Sequence, residues 1–231
     1  MKEVLKIFQK NIERNKDAFA ASKTHLGTCS YIKHSIDTAG AAPVCQPLRR
    51  TPTRFETEEE KNLKDQLEQG VIRPSTSLLA SNVVLVRKKD QTVRWCCDFR
   101  RLNELTVKCA YPVPRIDMYI DCLSSASIFS CIDLQSGYWQ LKVEEKDIPK
   151  TAFITKYGLF EYTKMPFGLC NAPATFQCCM ELILRGLQWQ TVLIYLDHVI
   201  IYSFNIDEHF KHLNEVLTRL KNAGLKLKSS K

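Results

Sequence analysis

Two aspartates stand where apolar runs end. Asp133 closes Ser127-Ile128-Phe129-Ser130-Cys131-Ile132-Asp133, and Asp197 sits at the tip of Tyr195-Leu196-Asp197-His198. An acid at the end of a buried strand is poorly placed as a generic surface charge, because its neighbours are committed to the core. Two such ends brought side by side make an oxygen-rich site suited to Mg²⁺, which prefers carboxylate and water ligands. That geometry supports two-metal phosphoryl chemistry, one ion activating an attacking oxygen and the other stabilising the leaving one. Each acid alone also has a plainer reading: Asp133 capping a turn, and Asp197-His198 making a hairpin.

Charge adds a second hint. The chain carries a net +8, and residues 1–110 hold 20 Lys/Arg against 13 Asp/Glu, whereas residues 111–231 hold 13 against 12. Between Arg87 and Lys108 seven bases face three acids. A local basic excess beside apolar runs suits a polyanion, either a phosphate backbone or a nucleotide. A solvated basic face is the plainer alternative.

The elements that must position these groups are legible from periodicity. Val4, Leu5, Phe8 and Ile12 recur at helical spacing within residues 2–19. From 20 to 55 the pattern fails and Pro43, Pro47 and Pro52 punctuate an extended arm. Thr57 followed by three glutamates starts a helix that Gly70 ends. Residues 82–87 and 93–97 read as a hairpin with a basic tip, Lys88 to Thr92. A short helix follows Pro112 and Pro114, around 115–123. Strands are expected at 127–134 and 138–143, and a second hairpin at 151–155 and 159–163. A long apolar helix covers 171–187, entered through Pro173. Residues 191–196 and 199–203 form a hairpin whose two-residue connection is Asp197-His198. An amphipathic helix at 207–223 is stopped by Gly224. Strands and helices mix without regular βαβ alternation, so the class is α+β.

The 231 residues are 45% hydrophobic and 25% charged, which excludes collagen-like, disordered and coiled-coil chains. No window approaches the ~18 unbroken apolar residues of a membrane span. The charged N-terminus does not read as a signal peptide, so an intracellular protein, cytoplasmic or nuclear, is expected, with no membrane partner. The ten cysteines include two adjacent pairs, Cys96-Cys97 and Cys178-Cys179, and no Cys-x-x-Cys. Neighbours in sequence do not easily converge on one zinc, so the cysteines are read as reduced, small apolar residues.

Eight ordered blocks carry a resemblance. They are Gly70-Val71-Ile72-Arg73-Pro74-Ser75, Val84-Leu85-Val86-Arg87-Lys88-Lys89-Asp90, Asp98-Phe99-Arg100-Arg101-Leu102-Asn103, Tyr111-Pro112-Val113-Pro114-Arg115-Ile116, the run from Ile132 to Gln140, Lys150-Thr151-Ala152-Phe153, the run from Met165 to Gln177, and Tyr195-Leu196-Asp197. In order and spacing they resemble the reverse transcriptases of gypsy-type long-terminal-repeat retrotransposons, from about Glu56 to Lys228. The resemblance implies a right-hand polymerase fold with an antiparallel palm sheet. An arm would occupy 1–55 and a fingers-palm domain 56–231, with fingers at about 56–110 and 141–166 and palm at about 111–140 and 167–231. It implies RNA-directed DNA polymerase chemistry, nucleotidyl transfer to a primer, with two Mg²⁺ ions. RNA or DNA template-primer and deoxynucleoside triphosphates would be the partners. It assigns Asp133 and Asp197 as catalytic metal-binding carboxylates, with the Leu134 carbonyl beside them. Tyr138 takes the position of the steric gate against a ribose 2′-OH. Lys88 and Arg94 take the positions of the fingers residues that close on the triphosphate, and Phe167 and Gly168 line the nucleotide pocket.

Two departures matter, and a third is minor. His198 replaces the second Asp of the family's Tyr-x-Asp-Asp hairpin, a change one base can make in a codon. Imidazole is a poor Mg²⁺ ligand, so inactivity and weakened Mg²⁺ binding are expected. The sequence ends after Leu225-Lys226-Leu227-Lys228, where the family continues into a thumb and usually a ribonuclease H domain. The fingers hairpin has Asp90-Gln91 in place of Asp-Gly. Three readings stay open: a polymerase, an inactive transposon-derived remnant that binds nucleic acid through its basic face, and a protein in which only the fold survives.

Overall fold

The computed structural model describes residues 12–22, 24–87, 93–112, 114–124, 126–196 and 198–228. Two expected site residues, Lys88 and Asp197, lie outside these, as do the basic hairpin tip and most of the expected N-terminal helix. The chain divides into two compact units, one of residues 33–109 and 141–172, the other of residues 1–32, 110–140 and 173–231.

The first unit is built on a five-stranded sheet. Helix α1 (Glu56–Glu68) puts Glu56, Glu58 and Glu59 in its first turn, where the helix dipole favours acids. Gly70 follows with a positive φ of 61°, and the chain turns into β1 (Ile72–Pro74). β2 (Ser81–Arg87) and β3 (Val93–Asp98) form the expected hairpin with Val84 opposite Cys96. Helix α2 (Arg100–Leu105) follows β3. β5 (Phe153–Thr155) and β6 (Gly158–Tyr162) pair through the turn at Lys156-Tyr157, and β5 runs parallel to β2. The sheet order is β1-β6-β5-β2-β3. Its core is aromatic: Phe153 lies 5.9 Å from Trp95, 5.9 Å from Phe160 and 5.1 Å from Tyr162. Burial drives the Tyr162 hydroxyl well above its ordinary pKa, and the Trp95 indole N–H donates to it at 3.2 Å.

The second unit carries a three-stranded antiparallel sheet, β4-β8-β7. Helix α3 (Ile116–Leu123) precedes β4 (Ile128–Asp133), and helix α4 (Ala172–Ile183) precedes the hairpin of β7 (Val192–Tyr195) and β8 (His198–Ser203). Helix α5 (Ile206–Asn222) begins where Asn205 accepts a hydrogen bond from the Glu208 N–H, and it buries Leu213, Val216, Leu217 and Leu220. It ends in a Schellman turn: Leu225 N–H reaches the Leu220 carbonyl and Gly224 N–H the Lys221 carbonyl, each at 3.0 Å.

Gly224 makes that turn possible. Its φ is +76°, and a Cβ there would stand 2.4 Å from the Thr28 carbonyl oxygen. Gly70 has a similar φ of +61° but open space around it. A side chain in the left-handed region costs ~1–2 kcal/mol. Gly70→Ala is therefore expected to lower stability by ~1 kcal/mol, and Gly224→Ala by about twice that or more. Urea midpoints of the two variants check the difference.

Three expectations need correction. Residues 138–143 do not form a strand. Gly137–Gln140 is a single 3-10 turn, because Ser136 adopts a φ of +48° and its carbonyl takes the Trp139 N–H. The hairpin connection is also shifted by one residue. His198 pairs with Tyr195 as the first residue of β8, leaving Leu196 and Asp197 between the strands. The cysteines are mixed rather than uniformly apolar: Cys29 and Cys179 are buried with sulfurs 3.2 Å apart, whereas Cys45, Cys109 and Cys131 are exposed. Among the described residues no helix is long and apolar enough to cross a membrane.

Candidate functional site

Strand register builds the candidate site in the second unit. β4 and β8 are antiparallel, with Asp133 directly opposite His198 and Cys131 opposite Ile200. Side chains alternate along a strand, so Cys131 and Asp133 share one face of the sheet. Ser130 on the other face bonds the buried His209 of α5 at 2.8 Å. On the Cys131 face, Tyr119 of α3 packs with Leu193 and Tyr202. Burial pushes the Tyr119 hydroxyl up to about 12, and that hydroxyl donates to the Ile194 carbonyl at 2.5 Å.

Asp133 and His198 are in direct contact, Nδ1 to Oδ1 at 2.9 Å. The Asp133 side chain is 20% exposed and that of His198 51%. Cys131 joins them: one ligand atom from each of the three lies within 4.8 Å of the other two. No feature of the sequence reading marked Cys131. The usable signal was its position two residues before Asp133 on one strand, which places both on one face.

The backbone behind Asp133 is held by a returning segment. The Asp133 carbonyl accepts the Lys228 N–H and the Gln135 N–H reaches the Lys226 carbonyl, each at 3.0 Å, so the two bonds flank the buried Leu134. Gln140, fully buried, bonds the Gln135 and Lys226 carbonyls at 2.8 Å and accepts the Lys226 N–H at 2.7 Å. Beside this strand lies a cavity of about 650 Å³ walled by Phe19, Cys131, Asp133, Leu213, Leu217 and Lys228, among others. Tyr138 is buried on the 3-10 turn, its ring 5.2 Å from that of Phe176.

The hairpin tip is strained and braced. Leu196 has a φ of +55°, a conformation that costs a non-glycine residue energy. Gln177 of α4 holds it: its Oε1 accepts the Leu196 N–H at 3.1 Å, and its Nε2 donates to the Ile194 carbonyl at 2.9 Å and to Glu181 at 2.7 Å.

The remaining site candidates sit in the first unit. Arg94 is exposed on β3, opposite Val86. Phe167 is 49% exposed and Gly168 has a φ of +98°. The Asn103 amide brackets that loop, donating to the Gly168 carbonyl at 2.7 Å and accepting the Cys170 N–H at 2.9 Å. Part of the basic excess is spent locally, since Arg100 grips Asp98 through two 2.7 Å bonds. Those bonds hold the Asp98 carboxyl below its usual range.

Mg²⁺ seeks oxygen ligands in near-octahedral order. Among the described residues the Asp133 corner offers one carboxylate, one thiol and one imidazole. That donor set does not fit Mg²⁺.

Comparison with known proteins places this arrangement. The family model described as reverse transcriptase (RNA-dependent DNA polymerase) matches residues 86–231. The retrovirus-related Pol polyprotein from transposon 297 of Drosophila melanogaster is 40% identical over 205 residues, covering 87% of this chain and 19% of that protein. The corresponding polyprotein from transposon gypsy, also of Drosophila melanogaster, is 35% identical, covering 99% of the chain and 23% of the relative. The chain thus spans about a fifth of the length of these polyproteins. Among solved structures, prototype foamy virus protease–reverse transcriptase superposes with a TM-score of 0.90 at 21% identity, covering 99% of this chain and 30% of that one. A foamy viral protease–reverse transcriptase in complex with RNA/DNA hybrid gives 0.88 at 23%, covering 99% and 31%. The fold is the fingers and palm region of a right-hand polymerase, and the chain belongs to the reverse transcriptase family.

Proposed function

We propose that this reverse-transcriptase domain descends from an RNA-directed DNA polymerase and still binds template-primer, but does not add nucleotides with Mg²⁺. One observation carries the reading: the His198 imidazole, which follows Asp197 where the Tyr-x-Asp-Asp motif has its second Asp, stands 2.9 Å from the Asp133 carboxylate. An oxygen cluster that would hold two dications has there an imidazole in place of a carboxylate, and so one negative charge fewer.

The other roles follow the family's motif. Asp133 and Asp197, with the Leu134 carbonyl, stand at the positions of the family's metal-side oxygens. Tyr138 bears on the sugar 2′ position, where an added hydroxyl would meet its ring. Lys88 and Arg94 take the triphosphate charge, and Phe167 and Gly168 line the nucleotide. The unit with the five-stranded sheet is read as fingers and the unit with the three-stranded sheet as palm. Exposed Arg94 on β3 supports an electrostatic role, and the buried, ring-packed Tyr138 supports a rigid one.

A primer-extension assay on a homopolymer template, paired with filter binding, tests the reading. Extension with Mg²⁺ is expected to stay at background while template-primer binding persists. Binding should weaken as salt rises, with a log–log slope of about −0.9 per neutralised phosphate on duplex. Mg²⁺-dependent synthesis by the unaltered chain would reject the inactivity, and salt-independent binding would reject the polyanion surface.

A further inference from the structure

We propose that Cys131, Asp133 and His198 form a binding site for a single borderline transition-metal dication of the Zn²⁺ or Co²⁺ class. The inference goes beyond the polymerase reading and does not depend on it, since it needs neither nucleic acid nor nucleotide.

The donor types carry the first part of the case. A thiolate sulfur, an imidazole nitrogen and a carboxylate oxygen are the three side-chain ligands that Zn²⁺ uses, whereas Mg²⁺ takes oxygen almost alone. The replacement of an Asp by His198, next to a cysteine on the neighbouring strand, changes a hard-ion corner into one of mixed, softer donors.

Geometry carries the second part. Cys131 and Asp133 are two residues apart on β4 and share its face, and the β4–β8 register sets His198 opposite Asp133. The backbone therefore presents all three without any loop having to close. Bonds of about 2.0–2.3 Å at tetrahedral angles put ligand atoms ~3.3–3.6 Å apart. Here His198 and Asp133 are 2.9 Å apart, and all three ligand atoms lie within 4.8 Å of one another. Rotation about side-chain bonds covers that difference. Cys131 and His198 are both exposed, so an ion can enter from solvent. Three protein ligands leave a fourth position for water, the pattern of zinc sites that stay open.

The test uses the reduced, metal-stripped full chain titrated with Co²⁺. A thiolate-to-cobalt charge-transfer band should rise to one equivalent and disappear when Zn²⁺ is added. Cys131→Ser should abolish the band, and His198→Ala, which removes the imidazole without supplying another donor, should weaken Co²⁺ binding at least tenfold. Cys45→Ser, at another exposed cysteine, should change neither. No band in the unaltered chain, a band that survives Cys131→Ser, or unchanged affinity in His198→Ala would overturn the site. A second measurement needs no variant: Zn²⁺ should slow alkylation of Cys131 at least tenfold while leaving the exposed Cys45 and Cys109 unaffected. Equal reactivity of Cys131 with and without Zn²⁺ would also overturn it. Neither measurement reads synthesis or nucleic-acid binding, so a failure here is distinct from a failure of the polymerase reading.

Discussion

Gln177→Leu is expected to lower the stability of the protein by about 3 kcal/mol, because each buried polar group left without a partner costs about 1–3 kcal/mol. The side chain is fully buried and links three groups. Leucine is close in volume, so little of the loss comes from a cavity. The Leu196 N–H would lose its acceptor. The Ile194 carbonyl would keep the Tyr119 hydroxyl, and Glu181 would keep that of Tyr111. Leu196 would then hold its φ of +55° without the bond that secures it. For a chain of this size ~3 kcal/mol lowers the melting temperature by roughly 6–12 °C. Calorimetry of the variant checks the value, and a change below ~1 kcal/mol would show that the hairpin does not rely on this brace.

The elements easiest to read in the sequence were those with one strong period or one clear stop. Helix α5 shows its apolar stripe and its Gly224 end in order, and the structure follows them, adding the Asn205 cap. The β2–β3 and β7–β8 hairpins were legible from runs of β-branched residues. The 3-10 turn at Gly137–Gln140 was not, because apolar and polar residues alternate there as they would in a strand. What decides it is the backbone of Ser136, which no periodicity reveals. Gln177 and Gln140 were equally hidden. A glutamine reads as a surface residue, yet both are fully buried braces for the strands that end at the site. Asp133 and His198 stand out in the sequence from the end of an apolar run and from the hairpin motif, whereas their contact does not. Cys131 has no ligand neighbour at zinc spacing along the chain, because its candidate partners lie on the same strand face and across the sheet. A metal set spread over two strands has no spacing rule in sequence. Only the pairing register assembles it.

His198 is proposed to deny Mg²⁺ to the Asp133 corner, and Mg²⁺ titration of the unaltered chain beside His198→Asp tests this most directly. His198 is half exposed on the first residue of β8, so aspartate fits there without repacking. The change adds two oxygen donors and one negative charge within reach of Asp133. Altering groups that merely support metal ligands already shifts affinity by about 10–100-fold, and a direct ligand should do at least as much. Calorimetric titration is therefore expected to show Mg²⁺ bound at least tenfold more tightly by His198→Asp. The gain should vanish in the double variant His198→Asp, Asp133→Asn, because the two carboxylates act on one ion. Equal Mg²⁺ affinity in the unaltered chain and in His198→Asp would contradict the claim.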